Sequence, residues 1–367
     1  MTSYGLYIHW PFCVKKCGYC DLNSHVRESI DQQFYINKLH DELDNWHSIV
    51  PDAAIETIFF GGGTPSLLPA NAIGDLIEHA KVLWKSEPSE ITLEANPTYL
   101  ECRNLHELKS AGVNRMSFGV QTFNDAKLLE LGRTHTSAQA YDIVNQALTI
   151  FDLVSLDLMY NLPKQTVADV VYDLARILDL GVKHVSYYAL TIHANTDFGR
   201  MYEARKLVLP NEDVFCDSYN QIVSTLEGAG LKQYEISNFC APGHESRHNL
   251  CYWRYMPFIG VGAGAHSRVI IANQRYEVEN HKVPEKWAEL SGHKVFQPLD
   301  ATTEYEEKVL MQFRIAEGMP LADLPVTANT RISDLVVTGN MWHSGDRIGL
   351  TRDGFLRYNA ILKLLLR

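Results

Sequence analysis

The first half of this sequence alternates short apolar runs with longer amphipathic segments six times, and this pattern constrains the fold more than any other feature. Each repeat has about the 30 residues that one strand–helix–strand unit needs, which predicts parallel strands joined by helices. A closed eight-stranded barrel usually takes about 250 residues, more than this region supplies. We therefore expect an α/β fold containing a partial, TIM-like (β/α)6 barrel. The predicted strands are 4–9, 55–60, 91–94, 116–120, 154–160 and 184–190.

Beyond residue 190 the regular alternation ends. Residues 211–229 are predicted to be helical and 234–237 to form a strand, whereas 242–268 is rich in glycine, histidine and aromatic residues. From residue 302, helical segments flank a hairpin at Ser344-Gly345-Asp346, which is typical of a mostly helical, winged-helix-like module. We expect three parts: 1–230 as the barrel with a following helical segment, 231–300 as a connecting region, and 301–367 as a C-terminal winged-helix-like domain.

Composition and charge narrow the functional class. The chain has 33 Lys and Arg against 44 Asp and Glu, a net charge of −11, which argues against a nucleic-acid binder because such proteins carry basic surfaces. No apolar stretch approaches the roughly 20 residues of a membrane helix. The first residues contain no basic segment followed by an apolar run, so we expect no secretion signal and a cytoplasmic location.

Three of the seven cysteines lie within eight residues, as Cys13-x3-Cys17-x2-Cys20. They follow the first predicted strand, at the end of a βα barrel where active sites form. In a reducing compartment this grouping indicates metal binding or redox chemistry rather than disulfides. One interpretation is a zinc site completed by His9 or His25. The other is a [4Fe-4S] cluster, in which three thiolates leave one iron open to a further ligand.

Polar residues follow the ends of several predicted strands. Gly61-Gly62-Gly63-Thr64-Pro65 follows the second strand, and Glu94, Gln121 and Asp157 end or interrupt the next three. Glycines let a ligand approach the backbone closely, carboxylates hold ammonium, sulfonium or ribose hydroxyl groups, and Arg133 suits a carboxylate. Each residue alone is equally consistent with strand-end capping or a surface ion pair. Together, on successive strands, they predict a ligand pocket.

The spacing Cys13-x3-Cys17-x-Tyr19-Cys20 resembles the signature of radical S-adenosylmethionine (SAM) proteins. That superfamily holds a [4Fe-4S] cluster on three cysteines, chelates SAM at the open iron and splits its sulfonium to a 5′-deoxyadenosyl radical. Further motifs, spread over most of the chain, resemble the oxygen-independent coproporphyrinogen III oxidase family: Leu6 to Cys13, Gly-Gly-Gly-Thr-Pro at 61–65, Leu-Glu-Ala-Asn-Pro at 93–97, Ser-Phe-Gly-Val-Gln-Thr-Phe at 117–123 and Asp-Leu-Met-Tyr-Asn-Leu-Pro at 157–163.

The resemblance implies that Cys13, Cys17 and Cys20 bind the [4Fe-4S] cluster. It also implies a set of SAM-binding residues: Tyr7, Tyr19, Gly62, Gly63, Thr64, Glu94, Gln121, Arg133 and Asp157, with Ala189 and His266 as further members.

Two features distinguish the branches of this family. The decarboxylating oxidase has a further cysteine two residues after the triad and an N-terminal extension; here that position is Leu22 and the triad begins at residue 13. His248-Asn249-Leu250-Cys251-Tyr252-Trp253 resembles the His-Asn-x-x-Tyr-Trp motif of a heme-binding branch. The resemblance implies that His248, Asn249, Tyr252 and Trp253 bind heme. A neutral imidazole can ligate iron and aromatic rings offer flat faces to a porphyrin, but Cys251 is a rival ligand and a packed loop histidine is the alternative.

We therefore expect a radical SAM heme chaperone that binds heme and delivers it to acceptor proteins, including membrane respiratory enzymes. No catalytic residue is assigned. The alternatives are an oxygen-independent coproporphyrinogen III dehydrogenase and a zinc-stabilised binding protein. A homodimer and a peripheral membrane association through partners are left open, and we expect no nucleic-acid partner.

Overall fold

The computed structural model describes residues 2–290, 292–325 and 329–366. Six parallel strands lie side by side in chain order at the centre of a large sheet. This arrangement confirms the predicted α/β fold with a partial (β/α)6 barrel. The strands are β1 (Thr2–Trp10), β2 (Ala53–Gly62), β3 (Glu90–Ala95), β4 (Arg115–Gln121), β5 (Leu153–Tyr160) and β6 (His184–Ala189).

Helices connect these strands and cover one face of the sheet. In β1, Leu6 and Ile8 are fully buried, whereas Tyr7 and His9 point to the opposite, inner face because successive side chains alternate. Capping boxes at Thr136 and Thr166 start the fifth and sixth helices. The helices are α1 (Gln32–Ile49), α2 (Ala70–Trp84), α3 (Leu105–Ser110), α4 (Asp125–Leu131), α5 (Ser137–Ile150), α6 (Val167–Leu180), α7 (Asp197–Glu203) and α8 (Glu212–Gly228).

The segment 231–300 adds six strands to the same sheet, so it contributes to the barrel as well as connecting its neighbours. The first two lie beside β6 and the others extend the sheet beyond β1. The predicted strand 234–237 is partly wrong, because residues 236 and 237 form the turn between two short strands. The elements are β7 (Lys232–Glu235), β8 (Asn238–Cys240), α9 (Arg247–Trp253), β9 (Phe258–Val261), β10 (His266–Ile271), β11 (Gln274–Glu279), α10 (Pro284–Glu289) and β12 (Gln297–Pro298).

The C-terminal part combines four helices with a small three-stranded antiparallel sheet. The predicted hairpin at residues 344–346 is present, whereas the predicted last helix is two short helices. The elements are α11 (Ala301–Gln312), β13 (Met319–Pro320), α12 (Asn329–Val337), β14 (Met341–Ser344), β15 (Arg347–Leu350), α13 (Arg352–Leu356) and α14 (Tyr358–Leu365). Among all helices in the described ranges, none combines the length and apolar character needed to cross a membrane.

Candidate cofactor site

The three clustered cysteines lie in the loop that leaves β1, at the carboxyl edge of the parallel strands. Their thiols are free and half-buried, and each has a polar neighbour. The Thr64 hydroxyl donates to Cys13 Sγ at 3.3 Å, and Arg133 Nη1 donates to Cys17 Sγ at 3.6 Å. Burial raises the pKa of Cys13 to about 11. A bound cation is therefore needed to hold the Cys13 thiol as a thiolate at neutral pH.

The two histidines considered as zinc ligands are engaged elsewhere. His9 is buried, with Nδ1 hydrogen-bonded to Tyr7 Oη at 2.9 Å and Nε2 to the Asn23 carbonyl at 2.8 Å. His25 Nε2 lies 3.1 Å from the Lys282 carbonyl oxygen. Within residues 2–290, 292–325 and 329–366, no three Cys, His, Asp or Glu side chains converge as ligands of a single metal ion.

Gly62 and Gly63 bring the end of β2 against the cysteine loop. Gly62 has φ of 109°, and a Cβ there would lie 2.4 Å from the His9 ring. A Cβ on Gly63 would lie 2.7 Å from the Phe12 carbonyl oxygen. A larger residue at position 62 would displace the His9 ring, and one at position 63 would displace the Phe12 backbone, so these glycines shape the cavity wall by close packing.

A cavity of about 180 Å³ opens beside the three cysteines, which line it. Most of the residues that the family resemblance implies for SAM also line it: Tyr19, Gly62, Gly63, Thr64, Glu94, Gln121, Arg133 and Asp157. Three of the implied residues, Tyr7, Ala189 and His266, are outside this lining. Tyr7 lies one layer below, hydrogen-bonded to His9. The fold thus brings residues from the first five strand ends to one cavity.

Of the three carboxyl groups that line the cavity, Glu94 and Asp157 accept hydrogen bonds from neutral donors, and Glu101 is bonded to Ser66 and Asn96. The Gly62 N–H donates to Glu94 Oε2 at 3.2 Å, and the Ser117 hydroxyl donates to Asp157 at 3.0 Å. Burial, with Asp157 as a smaller contribution, raises the pKa of Glu94 to about 8. Burial also raises the pKa of Asp157 to about 6. Ion pairs in the described parts of the chain include neither carboxyl, so a cationic ligand group fits this cavity.

Arg133 is half-buried in the wall of the same cavity. Its Nη2 donates to Asn96 Oδ1 at 2.5 Å and to the Gly119 carbonyl at 2.7 Å. Its buried Nε has no hydrogen-bond partner within the described chain. An unpaired guanidinium N–H fits an anionic ligand group such as a carboxylate. Cation-accepting and anion-accepting groups therefore face the same cavity, as an amino-acid ligand requires.

Sequence reasoning missed several residues of this wall. Ser117 holds Asp157, Asn96 holds Arg133, and the Tyr188 hydroxyl donates to Gln121 Oε1 at 2.9 Å. A signal for Ser117 was available, because it shares the two-residue period of Gln121 in the same strand. Nothing in the local sequence distinguishes Tyr188 from a core tyrosine.

The predicted heme motif lies on α9, with His248 buried inside the barrel. Its Nδ1 is hydrogen-bonded to Thr57 Oγ1 and its Nε2 to Tyr252 Oη, both at 2.8 Å. The ring stacks on Phe59 at 5.0 Å, and burial lowers the pKa of His248 to about 3. The imidazole is therefore neutral and is only 1% exposed, and both of its nitrogens are engaged within the protein.

The other motif residues have different surroundings. Cys251 is 3% exposed, and burial raises the pKa of its thiol to about 11, so it is a thiol rather than a thiolate. Asn249 is half-buried, with its N–H bonded to the Ser246 hydroxyl that caps α9. Tyr252 and Trp253 line a second, apolar cavity separate from the cysteine cavity.

Comparison with known proteins agrees with this architecture. A sequence profile of the Radical SAM superfamily matches residues 7–177. The chain resembles coproporphyrinogen III oxidase (HemN) from Escherichia coli with a TM-score of 0.82, 21% identity and coverage of 99% of this chain and 90% of that one. At this identity the likeness shows a shared fold.

Relatives named heme chaperone HemW are similar over nearly the whole chain. The Escherichia coli protein is 34% identical over 98% of this chain and 97% of its own length. The Haemophilus influenzae protein is 35% identical over the same shares. A mouse protein, radical S-adenosyl methionine domain-containing protein 1, mitochondrial, is 36% identical over 73% of this chain and 61% of its own. The chain therefore belongs to the HemW family of radical SAM proteins.

Proposed function

We propose that this protein is a heme chaperone, which binds heme and passes it to acceptor proteins, and that it carries a [4Fe-4S] cluster and SAM. The observation that carries the proposal is full-length similarity to relatives named heme chaperones, combined with an apolar, aromatic cavity formed by Tyr252 and Trp253 of the heme motif. We propose a cytoplasmic location, with heme acceptors among membrane respiratory enzymes.

The residues of the cysteine cavity have separable tasks in this proposal. Cys13, Cys17 and Cys20 would hold the cluster, which when bound supplies an open iron for SAM and an electron for cleavage of its sulfonium. Hydrogen bonds from Thr64 and Arg133 to the sulfurs stabilise the thiolate charge.

The remaining groups of this cavity match the two charges of an amino-acid ligand. Glu94 and Asp157 lie ready to accept the cationic groups of SAM, and the unpaired Arg133 Nε lies ready for a carboxylate. These side chains bind and orient SAM. The positive charges of the ligand favour the ionised form of the two carboxyl groups.

The oxidase alternative is disfavoured by Leu22. This side chain borders the cysteine cavity and is 53% exposed, at the position where the oxidase branch has a further cysteine. A leucine there supplies neither a thiol nor a proton. The shared fold with the oxidase carries no argument about activity, because it accompanies many chemistries.

The deciding experiment compares heme titration with product analysis under the same anaerobic conditions. The reconstituted protein should bind heme and form no protoporphyrinogen from coproporphyrinogen III, even with SAM and a reductant. Decarboxylated product at many turnovers would overturn the chaperone proposal. A colourless protein with stoichiometric zinc would instead support the zinc-stabilised binding protein.

A further inference from the structure

The apolar cavity beside α9 has a volume of about 250 Å³ and is distinct from the cysteine cavity. Its wall is aromatic: Tyr252 and Phe258 pack edge to face with ring centroids 4.7 Å apart, and Trp253 completes this side. Ligand cavities usually have volumes of about 300–1,000 Å³. This cavity therefore accepts one edge of a large flat ligand and leaves the remainder in solvent, which suits a carrier that must release its cargo.

Three side chains in the cavity wall carry atoms of the types that ligate heme iron in proteins. Met256 and Met311 contribute thioether sulfurs and His266 contributes an imidazole. Because His266 has a side chain that is 48% exposed, it lies where the cavity meets solvent.

Among the residues that the structure describes, none lies within hydrogen-bond distance of the His266 ring nitrogens. Nε2 is 3.6 Å from Glu279 Oε1, and Nδ1 is 3.9 Å from Glu277 Oε1, both beyond hydrogen-bond distance. A histidine that binds a metal commonly donates its second N–H to a carboxylate, and either glutamate is close enough to accept it after a small side-chain rotation. His248 differs in both respects, since it is buried and both of its nitrogens are hydrogen-bonded.

Arg268 is the one lysine or arginine among the described residues that line this cavity, and it is already paired with carboxylates. Arg268 Nη2 lies 2.7 Å from Glu307 and 3.2 Å from Glu277. Further carboxylates are thus poorly accommodated at this end. A heme would enter by its apolar edge, with the propionates directed to solvent.

We propose that heme docks by one edge into this cavity with His266 as an iron ligand, and that His248 positions the Tyr252 wall without binding iron. This inference rests on the proposed heme-binding function. The family resemblance implied His266 as a SAM contact, but it lines the apolar cavity and not the cysteine cavity.

The test is an anaerobic titration of the full-length, cluster-reconstituted protein with ferric heme, followed by absorption spectroscopy. His266→Ala should shift the heme bands and weaken binding at least about tenfold, since even an outer partner of a metal-binding histidine is worth about 10–100-fold in affinity. Added imidazole should restore the wild-type bands. His343→Ala, at an exposed histidine of β14, is the matched control and should change nothing.

Two further variants keep the outcomes separate. Met311→Trp should block the cavity and abolish heme binding, whereas Met201→Trp, on the exposed surface of α7, should not. His248→Gln should keep the wild-type band positions. Unchanged spectrum and affinity in His266→Ala would overturn this inference, as would shifted bands in His248→Gln. Absence of heme binding by the wild-type protein would instead overturn the proposed function itself.

Discussion

His248 Nε2 and Tyr252 Oη are hydrogen-bonded at 2.8 Å, one turn apart on the same face of α9. This bond fixes the Tyr252 ring, whose edge packs on Phe258 at the wall of the apolar cavity. The first residue of the motif, His248, thus holds the fifth, Tyr252, in place at the cavity wall.

The same histidine also connects two parts of the barrel interior. His248 stacks on Phe59 at 5.0 Å, and Phe59 stacks on Tyr7 at 6.1 Å. Tyr7 is hydrogen-bonded to His9, whose other nitrogen is bonded to Asn23 beyond the cysteines. A continuous line of packed rings therefore runs from His248 of the heme motif to His9 at the end of β1.

The first prediction concerns the cluster. Replacing Cys13, Cys17 or Cys20 by alanine should abolish binding of about four irons and four sulfides, because each thiolate holds one iron. Iron and sulfide analysis after anaerobic reconstitution measures this. Cys216→Ala, a half-buried cysteine of α8, should retain the full content. Equal iron content in a triad variant and in this control would contradict the assignment.

The second prediction concerns SAM. Glu94→Gln should weaken SAM binding about ten- to a hundred-fold, since a hydrogen bond to a charged group contributes about 1.5–3 kcal/mol. Calorimetric titration measures the affinity, and iron content should stay unchanged because Glu94 is bonded to the Gly62 N–H and is not one of the three cysteine ligands. Wild-type affinity in this variant would show that the carboxyl only caps Gly62.

The third prediction is a pH dependence of that affinity. The pKa of Glu94 is raised to about 8 by burial, so in the free protein the carboxyl is protonated below this pH. A cationic ligand binds the ionised form, and binding then releases a proton. SAM affinity should therefore rise by up to about tenfold per pH unit between pH 6 and 8 and level off above. In Glu94→Gln the rise should be smaller, and parallel curves for the two proteins would argue against Glu94.

The fourth prediction concerns the anchor of the heme motif. Glu90 is 1% exposed and pairs with Arg115 at 2.9 Å, while it accepts the N–H groups of Arg247 and His248 at the start of α9. Glu90→Gln should lower the free energy of unfolding by about 3–5 kcal/mol, because it leaves a buried guanidinium without its counter-charge. Urea unfolding measures this. Glu87→Gln, in an exposed pair, should cost at most about 1 kcal/mol. Similar losses in both variants would refute the assigned role.

The sequence was sufficient for the barrel strands and the cysteine loop, because both are local patterns. Alternating periodicity identifies a strand such as β5, and the strand order follows because each crossover helix places the next strand beside the last. Because the carboxyl ends of parallel strands lie at the same edge of the sheet, the polar residues at these ends lie close together. The part of the cysteine cavity lining formed by Glu94, Gln121 and Asp157 follows from the same rule.

The strands of 231–300 could not be predicted in the same way. β9 has four residues and pairs with β1, where Gly260 lies opposite Tyr7, more than two hundred residues away. No local period encodes such a pairing. Likewise, the sequence of the heme motif predicts an imidazole beside aromatic residues. It does not predict the hydrogen bond between His248 and the Thr57 hydroxyl of β2, which is distant in sequence. Whether that ring faces a ligand or the core is decided by tertiary contacts.

The last prediction concerns acid stability. His135 is 4% exposed, and burial together with the nearby Arg133 lowers its pKa to about 3. In the unfolded chain the imidazole takes a proton below about pH 6.5, whereas in the folded chain it stays neutral. Since the unfolded state then binds more protons, the contribution of His135 to stability is full above pH 6.5 and falls by about 1.4 kcal/mol per pH unit below it, down to about pH 3.

A glutamine at position 135 has no proton to gain. Between pH 6.5 and 5, His135→Gln should therefore lose about 2 kcal/mol less stability than the wild-type protein. Urea unfolding at a series of pH values gives the two slopes, and His343→Gln, at an exposed position, should follow the wild-type slope. If the His135 variant also follows that slope, the imidazole is protonated in the folded protein and its burial does not exclude the charge.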